Sequence, residues 1–318
     1  MRFLFAISVG TIVWWQPWPC LSCFNGYGED VSTTNIRGEV VSDRAKGWLS
    51  RLTEARHHAV SHRHRGPRFP GQFKDDPVMH ANAEAVEVLL DGSIEKSVRM
   101  LRQIEAATPS RYETAANLGT ALELSGDDEG ALKWITEGIR RNRQSHDQSE
   151  WIHVRILEAK VALKRDPRWL ETNTISGINR DNMTKAFEIE TPQGPMVLFH
   201  PSKPSVHNAI GWQLNERMSL VKPTDIIVAH LLYELALIEM EAGNLKDAEG
   251  ELEMAKDYGL PQALLTEQAK RLAPALAEIR RAEWIDWLSS GVVPVALAIL
   301  LLVALFYGLR ALQRLVSD

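Results

Sequence analysis

The chain has 318 residues, of which 45% are hydrophobic and 24% are charged, and its formal net charge is -5. This acidic balance disfavours nucleic acid as a partner, because binding to phosphates requires a surplus of lysine and arginine. The sequence contains no Gly-rich phosphate loop, no nucleophile elbow and no His-Glu zinc helix. We therefore predict no enzymatic activity and no cofactor.

The N-terminus, MRFLFAISVGTIVWW, has one arginine followed by an apolar run. The run has the length of the hydrophobic region of a secretory signal rather than of a full membrane span. The pattern predicts a signal peptide over residues 1–23 and export of the chain that follows it.

Two cysteines, Cys20 and Cys23, lie at the end of this segment. They have the two-residue gap of redox and metal motifs, but Phe24 follows them rather than His, and no second cysteine pair completes a zinc site. Three interpretations stay open: a plain signal end, which we favour, lipidation of Cys23 as a new N-terminus, and redox or metal use of the pair.

Residues 24–77 form an N-terminal segment that contains the stretch RHHAVSHRHRGPRFPGQF. His58 and His62 would share one face of a helix, where His57 and His64 could join them around a metal ion. No carboxylate or cysteine ligand is interleaved with them, and Gly and Pro follow. A solvated basic linker is therefore the favoured interpretation, and His58 and His62 are weak metal candidates.

The segment 112–142 has the spacing of two helices joined by a short turn. Apolar and small residues recur at helical intervals from Tyr112 to Leu124, Gly126 breaks the pattern, and a second stripe follows it. Small residues at Gly119 and Ala131 would let the two helices pack closely. The spacing predicts a helical hairpin.

Shifting this window back by about 34 residues produces a second copy of the pattern. The shift aligns Gly92 with Gly126, Ala85 with Gly119, Val88 with Leu122, Ser97 with Ala131 and Leu101 with Ile135, and Pro109 follows the second helix. A further copy contains Leu235, Ala236, Gly243, Ala248, Leu252, Ala255 and the closing Pro261. The pattern therefore predicts stacked hairpins.

These units resemble tetratricopeptide repeats, which have a small residue within the first helix, Gly at the turn, Ala early in the second helix and Pro at the end. Glu84, Arg143 and Glu239 depart from that pattern. The resemblance implies an all-α, TPR-like solenoid of antiparallel helical hairpins, with repeats over 78–171 and 206–283. The alternative is a helical bundle of unrelated amphipathic hairpins.

An insertion separates the two groups of repeats. The stretch SEWIHVRILEAKVALKRDP predicts one further helix that ends at Asp166 and Pro167. Within residues 172–205, apolar residues alternate on both sides of the Pro-Gln-Gly-Pro sequence at 192–195. This alternation predicts a small β-hairpin.

Residues 287–309 contain no charged side chain. Their length matches the about 20 residues that cross a bilayer core, so we predict one transmembrane helix; a buried core helix is the alternative. Arg310 and Arg314 follow it in the tail 310–318, while Glu283 and Asp286 precede it. Positive charge favours the cytoplasmic side, which predicts a cytoplasmic tail and a periplasmic or extracytoplasmic body.

The resemblance to tetratricopeptide repeats implies a membrane-anchored scaffold that binds a protein or peptide partner in the exported compartment. Its groove would be lined by polar and apolar residues of the first helices: Asn82, Val86, Glu113, Asn117, Thr120 and Arg155. Their alternative role is as solvated polar positions. A second functional hypothesis is an assembly factor for c-type cytochromes, in which similar repeats accompany a Cys-x-x-Cys pair.

Overall fold

The computed structural model describes residues 49, 52–53, 75–179, 188–200, 204–218, 222–290 and 292–317. The chain divides into two compact units, Met1–Leu260 and Pro261–Asp318. The described part is mostly helical with one small sheet, as the sequence predicted.

The first unit contains helices of ordinary length, two single-turn helices and one pair of strands. In chain order they are α1 (Pro77–Leu90), α2 (Ile94–Ala107), α3 (Tyr112–Leu124), α4 (Asp128–Arg141), α5 (Ser145–Gln148), α6 (Glu150–Arg165), α7 (Trp169–Thr172), β1 (Glu188–Thr191), β2 (Gly194–Val197), α8 (Val206–Met218), α9 (Ile226–Ala242) and α10 (Leu245–Asp257).

Aspartate side chains fix the starts of three helices. Asp76 accepts hydrogen bonds from the amides of Val78 and Met79 at 2.9 and 3.3 Å, and Pro77 occupies the first turn of α1. Asp127 and Asp225 cap α4 and α9 in the same way. Each carboxylate satisfies amides that have no partner inside the helix and opposes the positive end of the helix dipole.

Glycines in a left-handed conformation form the turns of three hairpins. Gly92, Gly126 and Gly243 have φ angles of 87°, 86° and 89°. At the second turn, the amide of Gly126 donates to the Glu123 carbonyl and that of Asp127 to the Leu122 carbonyl, both at 3.0 Å. Side chains with a Cβ resist this conformation, so the structure confirms the sequence prediction that Gly126 lies in an inter-helix turn.

The close approach of α3 and α4 depends on the absence of a side chain at Gly119. A Cβ added there would lie 2.6 Å from Ile135 Cδ1 and 3.0 Å from the Ile135 amide nitrogen. Ala131 and Ile135, the residues that face it from α4, are completely buried. The prediction that small residues permit tight packing within this hairpin is confirmed.

Ionic contacts join successive hairpins. The buried Arg141 side chain of α4 donates to both carboxylate oxygens of Glu105 in α2, at 2.7 and 2.9 Å, and to the Arg111 carbonyl at 2.7 Å. Arg111 in turn pairs with Asp76 at the start of α1. A guanidinium that donates several hydrogen bonds at once fixes the relative orientation of the helices as well as the distance between them.

The predicted β-hairpin is confirmed, and its turn is attached to the helices. Glu188 pairs with Val197 and Thr191 with Gly194 in antiparallel register. Between the strands, the Gln193 side chain accepts from the Trp151 amide at 3.0 Å and donates to the Arg143 carbonyl at 2.7 Å. Gln193 thereby caps the first turn of α6.

Residues ahead of the predicted linker pack against the helices. Leu52 is completely buried, and the Leu49 side chain occupies the space that a Cβ on Gly250 of α10 would need. Both residues precede the His/Arg-rich stretch that begins at Arg56, and that stretch lies outside the described residues.

The second unit consists of α11 (Gln262–Ser289) and α12 (Val292–Ser317). We predicted one apolar helix from 287 to 309, but α11 ends at Ser289, and Ser290 has an extended backbone with φ −59° and ψ 135°. Trp287 therefore belongs to α11. Pro294 lies in the first turn of α12, where its missing amide hydrogen costs nothing.

Two glycine substitutions test the packing of α3 against α4. Gly119→Ala should destabilise the protein by about 1 to 3 kcal/mol, because the new methyl group would overlap the Ile135 side chain and backbone. Gly138→Ala is the matched control: its Cβ would meet Ala116 atoms no closer than 3.7 Å. This control should be neutral or stabilising by up to about 1 kcal/mol, because alanine is the better helix former.

The measurement is thermal unfolding of the full-length protein in detergent, followed by the helical circular dichroism signal at about 222 nm, from which the midpoint temperature is read. Equal midpoints for Gly119→Ala and Gly138→Ala would contradict the close approach at Gly119.

Candidate functional site

The structure buries most of the residues predicted to line an exposed groove. Asn82, Val86, Asn117 and Thr120 are at most 2% exposed. Glu113 and Arg155 are partly exposed, and Arg155 pairs with Glu158 on the surface. The prediction that these six residues form an open recognition face is therefore wrong for the four buried ones. The alternative, that these four side chains are solvated, is wrong as well.

Contacts between neighbouring helices explain part of this burial. The Asn82 amide of α1 donates to the Thr114 hydroxyl of α3 at 3.0 Å, and the Asn117 amide donates to the Asn82 carbonyl oxygen at 3.3 Å. Two amides of the predicted groove, those of Asn82 and Asn117, thus bond to neighbouring helices of the same chain. A buried amide needs such partners, so these residues join the hairpins.

A side chain of α8 reaches the end of the same face. Glu123 lies on α3 one turn beyond Thr120, and Arg217 of α8 donates to both of its carboxylate oxygens, at 3.2 and 3.3 Å. Nearly all of α8 is buried, including the apolar residues Ile210 and Leu214. The Arg217 guanidinium therefore contacts the end of the face that was predicted to receive a partner.

The densest group of buried charges surrounds Glu123. We call it the Glu123 cluster, and it consists of Glu123, His153, Lys160 and Arg217. His153 Nε2 lies 2.7 Å and Lys160 Nζ 2.9 Å from the Glu123 carboxylate. One carboxylate of α3 thus receives two cationic side chains from α6 and one from α8.

Further charged residues extend the cluster on both sides. On one side, Glu150 contacts His153 Nδ1 at 3.3 Å and His146 of α5 at 3.1 Å, and His146 lies 3.4 Å from Glu216 of α8. On the other, Lys160 and Lys164 pair with Asp128 at 3.0 and 2.6 Å. Opposite charges alternate along this network, so each buried charge is paired.

The backbone of α5 is strained where it meets this network. His146 and Gln148 have φ angles of 50° and 61°, in the left-handed region that residues with a Cβ rarely adopt. Nearby, Gln213 Oε1 is buried without a hydrogen-bond partner among the described residues, and Glu150 Oε2 has only its ion pair with His146. Strain and incomplete hydrogen bonding both cost stability, and the surrounding ion pairs must offset that cost.

The pKa directions follow from these contacts. Burial alone would raise the pKa of Glu123, but Arg217, Lys160 and His153 hold it well below its usual value of 4.5. Burial would lower the pKa of His153, but its hydrogen bonds to Glu123 and Glu150 raise it to about 9. At neutral pH the cluster therefore contains a carboxylate and an imidazolium.

This arrangement is a set of fixed charges that joins helices. A histidine that stays protonated at pH 7 does not accept a proton as a general base, and His153 is only 1% exposed. Sequence reasoning missed the cluster. A histidine within the apolar run of α6 was its local signal, whereas Arg217 is separated from Glu123 by 94 residues and gave none.

A second buried carboxylate, Glu251 of α10, has the opposite environment. It is completely buried, and neither of its oxygens has a hydrogen-bond partner among the residues that the structure describes. Burial, followed by the negative charges of Glu239 and Asp247, raises the pKa of Glu251 well above 4.5. Glu239 itself pairs with His207 at 2.6 Å and accepts from Asn244 at 2.6 Å.

The residues of the metal and cysteine hypotheses lie in parts of the chain that the structure does not describe. Among the described residues, no group of three or more His, Cys, Asp or Glu side chains could hold a metal ion. His58, His62, Cys20 and Cys23 lie outside the described residues. The predicted signal peptide at 1–23 also lies outside them.

The exposed apolar surface of α12 is the other candidate functional feature. The segment Leu297–Arg314 has a mean hydropathy of 1.6 and is not buried at all. Leu300, Leu302 and Tyr307 are 65 to 66% exposed. This helix is long and apolar enough to cross a membrane, as the sequence predicted.

Comparisons with known proteins do not assign the chain to a family. No protein-family model matches the chain, and no curated protein and no solved structure matches it either.

Glu123→Gln tests the role of the cluster. The substitution keeps the shape of the side chain but leaves three cationic groups, the buried His153 and Arg217 and the partly exposed Lys160, without their common carboxylate. We expect the free energy of unfolding at pH 7 to fall by about 3 kcal/mol or more, as when one partner of a buried ion pair is removed. The control is Glu158→Gln, which removes a surface pair and should cost at most about 1 kcal/mol.

The pH dependence has a definite sign. The pKa of Glu123 is lowered in the folded protein. Its contribution to stability is therefore complete at pH values above its pKa in the unfolded chain, and it is lost as the pH falls through its pKa in the folded protein. The difference in urea midpoint between wild type and Glu123→Gln should therefore be largest at neutral pH and shrink in strong acid. A constant or absent difference would show that the cluster does not stabilise the fold.

Proposed function

We propose that the protein is a membrane-anchored helical scaffold that interacts with other proteins through an exported body. The observation that carries the proposal is the exposed apolar helix α12. A soluble protein rarely exposes a continuous apolar surface of this extent, because burying such a surface is strongly favourable. A bilayer would cover it.

The length of the helix suits this role. Helix α12 has 26 residues, and at about 1.5 Å per residue it is about 39 Å long. Its apolar part, residues 292–309, covers about 27 Å, close to the roughly 30 Å thickness of a hydrocarbon core. Arg310 and Arg314 then lie where the helix leaves that core.

The direction of insertion is inferred from the flanking charges. Arg310 and Arg314 follow the apolar part, whereas Glu283 and Asp286 precede it. Basic residues are retained on the cytoplasmic side, so the proposal places the tail in the cytoplasm and the body in the periplasm or outside the cell. The expected signal peptide would lead to the same orientation.

The role as a scaffold rests on the architecture of the body. Left-handed glycines at corresponding positions form the turns of three hairpins, and Gly119 permits a close helix pair. These features support the proposed relationship to tetratricopeptide repeats, whose stacked hairpins present surfaces for partners. Because four of the predicted groove residues are buried, the proposed partner surface keeps only Glu113 and Arg155.

Protease protection tests the orientation. In intact spheroplasts that express the protein with a C-terminal epitope tag, added protease should degrade the body and leave a small tagged fragment. The membrane would shield that fragment, and detergent should abolish its protection. A fully protected body, or the absence of a protected fragment, would refute the proposed topology.

Photocrosslinking tests the partner surface. A photoreactive residue at Arg155 should capture exported proteins, whereas the same residue at Arg165 should not. Arg165 is a matched control, because it lies on the same helix and its side chain is more exposed, at 75% against 38%. Equal capture at both positions, or none at Arg155, would remove Arg155 from the proposed surface.

A further inference from the structure

The last turns of α11 expose large apolar side chains next to the proposed membrane helix. We call residues 280–288 the juxtamembrane segment. Within it, Trp284 is 61%, Ile285 53% and Trp287 56% exposed. Exposed tryptophans of this size need a covering surface, and the amphipathic indole ring favours the boundary between hydrocarbon and water.

Three apolar residues of this segment share one face with a basic side chain. Arg281, Trp284, Ile285 and Leu288 follow the spacing i, i+3, i+4, i+7, which places them on one side of a helix. Asp286 lies on the opposite side of the helix, because successive side chains are rotated by about 100° around the helix axis. Arg281 lies one turn before Trp284, on the side of the tryptophan that is farther from α12.

The helix break places this face at the level of the lipid headgroups. Ser290 is extended, with φ −59° and ψ 135°, so α11 does not continue into α12. The apolar run that crosses the bilayer begins at Val292. If residues 292–309 cross the core, the juxtamembrane segment lies just outside it, where an arginine can reach phosphate oxygens while its neighbours contact the acyl boundary.

We propose that the juxtamembrane segment lies on the membrane surface and binds anionic phospholipid headgroups through Arg281, with Trp284 and Ile285 inserted beside them. This inference rests on the proposed membrane anchor and adds to it a lipid class and a recognising residue. The guanidinium pairs with a phosphate through two parallel hydrogen bonds, and an anionic headgroup adds a net negative charge that a zwitterionic headgroup lacks.

The test uses the full-length protein in vesicles that contain equal amounts of phosphatidylglycerol and phosphatidylcholine. A photoreactive residue is placed at Trp284 or, as the matched control, at Asp286, which is also exposed. After illumination, mass spectrometry counts the adducts with each lipid. We expect lipid adducts at position 284, few at 286, and an excess of phosphatidylglycerol at 284 of roughly fivefold, since a basic side chain near an anionic surface contributes about 1 kcal/mol.

Arg281→Gln should reduce this excess to near unity, whereas Lys270→Gln, earlier on the same helix, should leave it unchanged. Equal lipid capture at 284 and 286, or a headgroup preference that survives Arg281→Gln, would overturn the inference. Protease protection of the tagged C-terminus in the same vesicles separates the two proposals. A protected C-terminus with no lipid adducts at 284 contradicts only the juxtamembrane inference, and an unprotected one contradicts the membrane anchor.

Discussion

The fold of the first unit depends on how the charge of Glu123 is neutralised. A carboxylate that is only 8% exposed would be strongly unfavourable alone, and here it receives cationic groups from His153, Lys160 and Arg217. Because these side chains come from α6 and α8, the pairing brings side chains of both helices to the end of α3. The same electrostatic requirement therefore couples segments that are far apart in the chain.

The contrast with Glu251 and Glu234 shows that burial alone does not decide the state of a carboxyl group. Glu234 is also completely buried, but it accepts from the Ile175 and Ser176 amides at 2.6 and 2.9 Å and so holds the loop after α7. For Glu251, burial, followed by the negative charges of Glu239 and Asp247, raises the pKa. Partners that stabilise negative charge lower a carboxyl pKa, whereas acidic neighbours raise it.

Local features were predictable from the sequence because short-range physics determines them. The glycine at 126 and the apolar spacing on either side predicted α3 and α4, and the Pro-Gln-Gly-Pro sequence predicted the β-hairpin. The burial of Asn82 and Asn117 was not predictable in this way. An amide on an exposed helix face and one that bonds to a neighbouring helix have the same local pattern, and only the packing of α1 against α3 distinguishes them. The end of α11 at Ser289 was missed for a related reason, since no charged residue marks it in the sequence, whereas the backbone of Ser290 is extended.

That break changes the mechanical relation between the two helices of the second unit. In a single unbroken helix, the direction of α12 across a bilayer would also fix the direction of α11, and Trp284 would rotate with the membrane span. The extended backbone at Ser290 removes this coupling, because the helical hydrogen bonds of α11 end there and those of α12 begin after it. In the proposed membrane arrangement, the apolar face of α11 would be free to take the orientation that its own side chains favour at the membrane surface, independently of the tilt that the bilayer thickness would impose on α12.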